Sequence, residues 1–240
     1  MTKHVPLTRQ QIAMLVAQDI PDGSVVNLGI GIPTLVGDYI PEGYEIILHS
    51  ENGILGMGPA ASGDNIDHDL VNASRTPVTL LDGASLSEHT VSFAVMRGGH
   101  LDYSVLGGFQ VAPNGDLANW LTDAPDAIPA IGGAMDLAVG ARKVLVTMTH
   151  NARDGTPKLV SACSYPLTGV GVVDTVYTDL AIIDVTPDGF VVRAMLENMD
   201  EAQLREKTAA PLLFSEQLKT IKIDQKGVPT LISQINEATA

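Results

Sequence analysis

The chain has 240 residues, 45% hydrophobic and 18% charged, which suits one large α/β domain with a real core and leaves no case for disorder. A formal net charge of −14 repels nucleic acid and anionic membranes, and a single cysteine, Cys163, excludes an internal disulfide or a multi-cysteine metal site. There is no signal-like start and no uncharged apolar stretch near the roughly 18 residues of a membrane helix, so a cytoplasmic protein is expected.

In chain order, Thr8 and Gln11 form a capping-box pattern, and Ile12, Leu15, Val16 and Ile20 recur at helical spacing until Pro21-Asp22-Gly23 stops them. Ser24 to Leu28 reads as a strand, Gly29-Ile30-Gly31 as a turn, and Pro33 as the first turn of a helix ending near Pro41 and Gly43. Glu45 to Leu48 is the next strand, which makes this a β-α-β unit with parallel neighbours. Val78 to Leu81 is a strand, Ser87 caps a helix to Arg97, and Leu101 to Leu106 is a strand after Gly98-Gly99. Asn114-Gly115 predicts a hairpin joining 109–112 and 116–120. Gly132-Gly133 opens a helix through Ala138, and Lys143 to Met148 is a buried strand. Thr186-Pro187-Asp188-Gly189 joins a second hairpin, Leu180 to Val185 with Phe190 to Ala194, and Asp200 with Gln203 marks a last capped helix. From about Phe214 the sequence turns polar and mixed, so residues 1–215 are expected to form the domain and 216–240 a tail.

One segment stands out chemically. Ser50-Glu51-Asn52-Gly53-Ile54-Leu55-Gly56-Met57-Gly58 sets a carboxylate at the carboxyl end of a strand, where open α/β sheets place their active sites. The glycines Gly53, Gly56 and Gly58 would let a bulky ligand pass close to the main chain; the same pattern also describes a surface glutamate in a flexible glycine loop. Asn27-Leu28-Gly29-Ile30-Gly31 imitates a dinucleotide fingerprint, but Thr34 replaces the third glycine and Pro33 occupies the helix entry. Backbone amides and the Asn27 amide aimed at a developing oxyanion suit that geometry better. Gly132-Gly133 offers further free N–H groups, or a tight turn under the sheet. Asp64, Asp67, His68 and Asp69 look like metal ligands but read as solvated, His49 as a core or interface histidine near Glu51, and Trp120 and Cys163 as core.

The blocks Val26 to Thr34, His49 to Gly53 and Gly58-Pro59, with Met96 to Asp102, Gly115 to Trp120, Gly132 to Leu137, Tyr165 to Gly169 and Tyr177 to Ala181, together resemble the B subunit of family I CoA-transferases over residues 8–214. The resemblance implies a three-layer α/β domain with a mostly parallel open sheet and Glu51 as the nucleophile on an acyl-CoA thioester. It also implies Asn27, Gly132 and Gly133 as oxyanion donors, Gly53, Gly56 and Gly58 near the path of CoA, and no metal or other cofactor. The expected partner is an A subunit, in an A2B2 heterotetramer, with Arg97 or Arg142 helping to offset the CoA phosphates. The blocks 128–133 and 164–169 look more like 3-oxoadipate than acetoacetate transferases, with succinyl-CoA as donor. A non-catalytic ligand sensor of the same fold is the opposing reading, and the Ser-Glu-Asn-Gly block and the lack of a basic recognition helix speak against it.

Overall fold

The computed structural model describes residues 5–233. Its first helix, α1 (Arg9–Asp19), begins with the anticipated capping box: Gln11 N–H donates to Thr8 Oγ1 at 3.2 Å and Thr8 N–H to Gln11 Oε1 at 2.9 Å. The strands β1 (Val25–Leu28), β2 (Ile47–Ser50), β5 (Tyr103–Gly107), β8 (Lys143–Thr147) and β9 (Thr175–Tyr177) are mutually parallel, in the order β9-β8-β5-β1-β2. Their near-continuous Val, Ile and Leu runs are what strands covered on both faces require.

Helices supply that cover. A 3-10 helix, Pro33–Tyr39, bridges β1 to β2 and packs on α1, while α2 (His89–Arg97) and α3 (Ala134–Gly140) pack on each other and α3 on β5. Right-handed crossovers send the β1–β2 and β5–β8 connections to opposite faces, because β2 and β8 lie on opposite sides of the β5–β1 pair. The result is the expected three-layer α/β fold.

Further strands extend both edges, each antiparallel to its inner neighbour with one exception. Beyond β2 lie β3 (Ile54–Ala60) and β4 (Val78–Leu86). Beyond β9 come β10 (Ala181–Thr186) and β11 (Gly189–Leu196), the foreseen hairpin, then β12 (Leu212–Ile223), which runs parallel to β11, and β13 (Pro229–Ser233). The sheet is therefore mixed, with a parallel centre, and β6 (Gln110–Val111) and β7 (Leu117–Ala118) form a separate short hairpin at Asn114-Gly115. Helix α4 (Glu201–Glu206) starts with the capping box of Asp200 and Gln203.

Three expectations need correction. The helix after Ser87 is capped at Glu88, whose side chain makes no capping bond; Ser87 instead closes on Gly53 O, donating to it from its N–H at 2.8 Å and from its hydroxyl at 3.3 Å. Gly56 and Gly58 lie in a strand, not a loop: a Cβ on Gly56 would come within 3.0 Å of Ala84 Cα, and one on Gly58 within 3.2 Å of Thr79 O, so they let β4 approach β3. The proposed tail is not a tail as far as residue 233. β12 runs through the 215/216 boundary, Ile221 is fully buried, and Gln11 and Gln18 of α1 donate to Gly227 O and Pro229 O at 3.0 and 3.1 Å. Alternating polar side chains hid an edge hairpin with only one face buried.

Candidate active site

Strands β1 and β5 are neighbours whose following connections diverge to opposite faces, and such a switch point opens a crevice at the strand carboxyl ends. A cavity of about 580 Å3 occupies it, within the usual range for small-molecule sites. Its walls are the segments leaving β1 (Asn27–Pro33), β5 (Leu106–Phe109) and β8 (Thr147–Thr149), with Glu51 after β2 and Ala130–Ala134 before α3.

Glu51 is half-buried in this wall and receives a hydrogen bond from the Gly133 main-chain N–H. Burial pushes its carboxyl up from the usual carboxylate range; nearby His89 and the Gly133 N–H pull it back, and Asp136 adds a smaller upward push. The carboxylate is thus partly desolvated but not heavily paired, which keeps an anion reactive. Gly133 is a glycine for a local reason. A Cβ there would overlap Glu51 Oε2 and come within 3.2 Å of its Cδ and 3.3 Å of Phe93 Cζ. Gly53, with φ +112°, turns the chain immediately after Glu51 and leads it back as β3.

Below the carboxylate runs a buried polar chain. Asn27 Nδ2 lies 3.0 Å from His49 Nδ1 and donates to His49 O at 3.1 Å, while His49 Nε2 lies 2.9 Å from Ser92 Oγ. Burial lowers the His49 pKa to about 4, so the ring is neutral near pH 7 and Nδ1 can accept from Asn27 while Nε2–H donates to Ser92. Both Asn27 amide hydrogens are therefore committed, although the residue lines the cavity as expected. Among the described residues, the N–H groups of Ile30, Gly31 and Gly132 have no protein acceptor and border the same space. They are among the donors available to an oxyanion.

The other sequence candidates scatter. Gly53 and Gly56 lie outside the cavity lining, and Gly58 lines a second hollow of about 350 Å3 between the 3-10 helix and β3. Arg97 and Arg142 are exposed, pair with Asp136 at 2.6 Å and Asp102 at 2.8 Å, and do not line the cavity. Trp120 and Cys163 are half-buried rather than core; Trp120 Nε1 donates to Leu167 O at 3.2 Å, and burial beside Asp116 pushes the Cys163 thiol up to about 11. Asp64, Asp67, His68 and Asp69 are exposed, and among the described residues no group of three or more His, Cys, Asp or Glu could hold a metal ion.

Two cations that line the cavity escaped the sequence reading. Arg9, at the start of α1, lies over Gly31, and Lys158 approaches from the segment after β8. Neither lies in a motif, so only the fold could find them.

A profile of the family described as "Coenzyme A transferase" matches residues 9–199. The chain is 54% identical over 211 residues to the B subunit of the 3-oxoadipate CoA-transferase of Acinetobacter baylyi, covering 88% of this chain and 97% of that one. It is 51% identical over 213 residues to the protein of the same name from Pseudomonas putida, covering 89% and 100%. Among solved structures, the acyl-CoA transferase apoenzyme of Escherichia coli O157:H7 superposes with a TM-score of 0.71 at 20% identity, over 92% of this chain and 45% of that longer one.

Proposed function

The chain belongs to the coenzyme A transferase family, and from that premise we propose that it is the glutamate-bearing subunit of a 3-oxoacid CoA-transferase taking CoA from succinyl-CoA. The observation that carries this reading is Glu51. It is a half-buried carboxylate at the carboxyl end of β2, held by one main-chain N–H, in the wall of a cavity rimmed with unused N–H groups.

Each step suits those groups. A Glu51 oxygen attacks the succinyl thioester carbonyl, and the C–S bond breaks to release CoA thiolate, leaving a mixed anhydride. The thiolate adds to the glutamyl carbonyl, succinate departs, and Glu51 becomes a glutamyl-CoA thioester. The acceptor acid then attacks that thioester through its carboxylate, and the thiolate recaptures the new acyl group and frees Glu51. Every tetrahedral oxyanion forms beside Ile30, Gly31 and Gly132, and one such donor is worth about 2.7–4 kcal/mol. The sequence of steps balances without metal or redox cofactor.

The acceptor is 3-oxoadipate, supported by the names of relatives at 51–54% identity, with acetoacetate as the alternative. The same names denote a B subunit, which supports an A subunit as partner; the assembly we propose is A2B2, in the cytoplasm. Glu51→Gln is isosteric but cannot form the anhydride. With the partner present it should keep the fold and lose turnover by several orders of magnitude. Retention of a tenth of wild-type turnover would remove Glu51 from this role.

A further inference from the structure

Two polar groups in the cavity wall are unexplained by the chemistry at Glu51. Thr147, the last residue of β8, is 2% exposed, and its hydroxyl has no hydrogen-bond partner among the described residues. Buried hydroxyls are rarely left so without a ligand or water to satisfy them. Lys158 is half-buried, and among the described residues its ammonium makes neither a hydrogen bond nor an ion pair. Its main-chain N–H donates to His150 O at 3.1 Å, which ties it to the segment leaving β8 directly after Thr147. Both residues line the same cavity as Glu51.

Desolvation is a cost that a lone ammonium has to recover from something. It lowers the Lys158 pKa to about 8, with Asp179 pulling the other way. A carboxylate arriving beside it would recover that cost and would also accept from the Thr147 hydroxyl once that buried side chain turns toward the cavity. In a chain of net charge −14, a dianionic acid needs such a local cation to enter at all.

We propose that Lys158 and Thr147 form a subsite for the remote carboxylate of a dicarboxylic acyl group, so that the thioester or reacting carboxylate at the other end is presented to Glu51. This deepens the transferase reading and rests on it. It also explains how one cavity serves two half-reactions: succinate and a six-carbon 3-oxo diacid occupy it in turn, and both carry the group that Lys158 would hold. Arg9 is the competing cation, but it is exposed at the rim, where solvent and salt weaken its pull.

The test uses the chain assembled with its partner, as wild type, Lys158→Met, Lys158→Arg, Thr147→Val and Arg9→Met. The specificity constant is measured for 3-oxoadipate and for acetoacetate, which lacks the remote carboxylate. Lys158→Met should lower the value for 3-oxoadipate by on the order of 100-fold, the worth of one charge-assisted hydrogen bond, and leave acetoacetate within about threefold. Thr147→Val should lower 3-oxoadipate by about tenfold, and Lys158→Arg should restore part of the preference. Equal losses on both acids, or loss of discrimination on Arg9→Met instead, overturn the subsite. A second readout separates this from the mechanism at Glu51: calorimetric binding of adipate against hexanoate needs no turnover. Adipate binding abolished by Lys158→Met upholds the subsite even if Glu51→Gln proves active. A wild-type complex that binds adipate no better than hexanoate refutes it whatever Glu51 does.

Discussion

The contact between Gly133 and Glu51 gives a substitution whose effects on catalysis and on stability should part company. Gly133 has φ −89° and ψ 8°, a backbone any residue adopts, so alanine introduces no backbone strain. Its Cβ, however, would overlap Glu51 Oε2, and restoring an ordinary contact needs the carboxylate to retreat by about 1 Å. A displacement of that size costs about 100-fold in rate when the group is the nucleophile. The Gly133 N–H bond to the carboxylate weakens at the same time, which pushes the Glu51 carboxyl further up. Gly133→Ala should therefore lose roughly 100-fold in turnover while its melting temperature changes little. Gly132→Ala is the internal control with the opposite signature. At φ +48° alanine is strained by about 1–2 kcal/mol, yet its Cβ lies 4.0 Å from Glu51 Oε1, in ordinary contact. It should cost stability more than turnover. The assay is acceptor-dependent CoA-ester formation with the partner present, alongside thermal melts of both variants. Gly133→Ala turning over within threefold of wild type would show that Gly133 does not hold Glu51 during the reaction.

Other consequences are as direct. Succinyl-CoA without an acceptor should leave CoA on Glu51, so borohydride should reduce that thioester and inactivate the enzyme, while untreated enzyme resists; modification mapped by peptide mass spectrometry to another residue refutes the covalent scheme. The purified chain alone should be inactive and should gain activity on adding an A subunit; full transferase activity from the single polypeptide would overturn the partner assignment. Burial lowers His49 and His150 to about 4, so both stay neutral in the fold while the unfolded chain protonates its histidines near 6.5. Their stabilisation is complete above pH 6.5 and fades as pH falls toward 4, by about 3 kcal/mol for each; a urea midpoint flat from pH 7 to 4.5 contradicts this. Truncation after residue 215 removes most of β12 and all of β13, and Ile221→Ala alone should cost about 2–5 kcal/mol; a truncated chain that melts like wild type would make the hairpin dispensable.

What could be read ahead of the structure follows from how local each signal is. Both capping boxes are four-residue devices, and each appears at its expected helix start. The β1–β2 unit was legible because Gly29 and Pro33 punctuate it, and Glu51 because the strand before it ends where a carboxylate follows. The strand β3 was not. Its glycines serve β4, more than twenty residues away, and sequence shows the missing side chains without showing the strand that uses the space. Arg9 and Lys158 lie about 150 residues apart in sequence and share a cavity only because β1, β5 and β8 lie side by side. In sequence Asn27 reads as a free amide because its partner His49 belongs to the adjacent strand, and only their pairing in register reveals the commitment.

The commitment of Asn27 bears on how the site handles charge. In the proposed mechanism Glu51 is an anion when it attacks and a neutral acyl group afterwards, so an environment that bound the anion too well would slow the first step and the return. One N–H donor and the nearby His89, set against burial and Asp136, leave the carboxylate only weakly held. The oxyanions need the opposite treatment, firm donors in fixed positions, and main-chain N–H groups in a turn meet that need without side-chain reorganisation. The neutral His49 ring fits the same division. A protonated imidazole directly behind Asn27 would favour the resting carboxylate by Coulomb attraction and work against its conversion to an ester. Burial keeps that ring uncharged, so its role is to fix Asn27 and the end of β1, and with them the turn that carries Ile30 and Gly31.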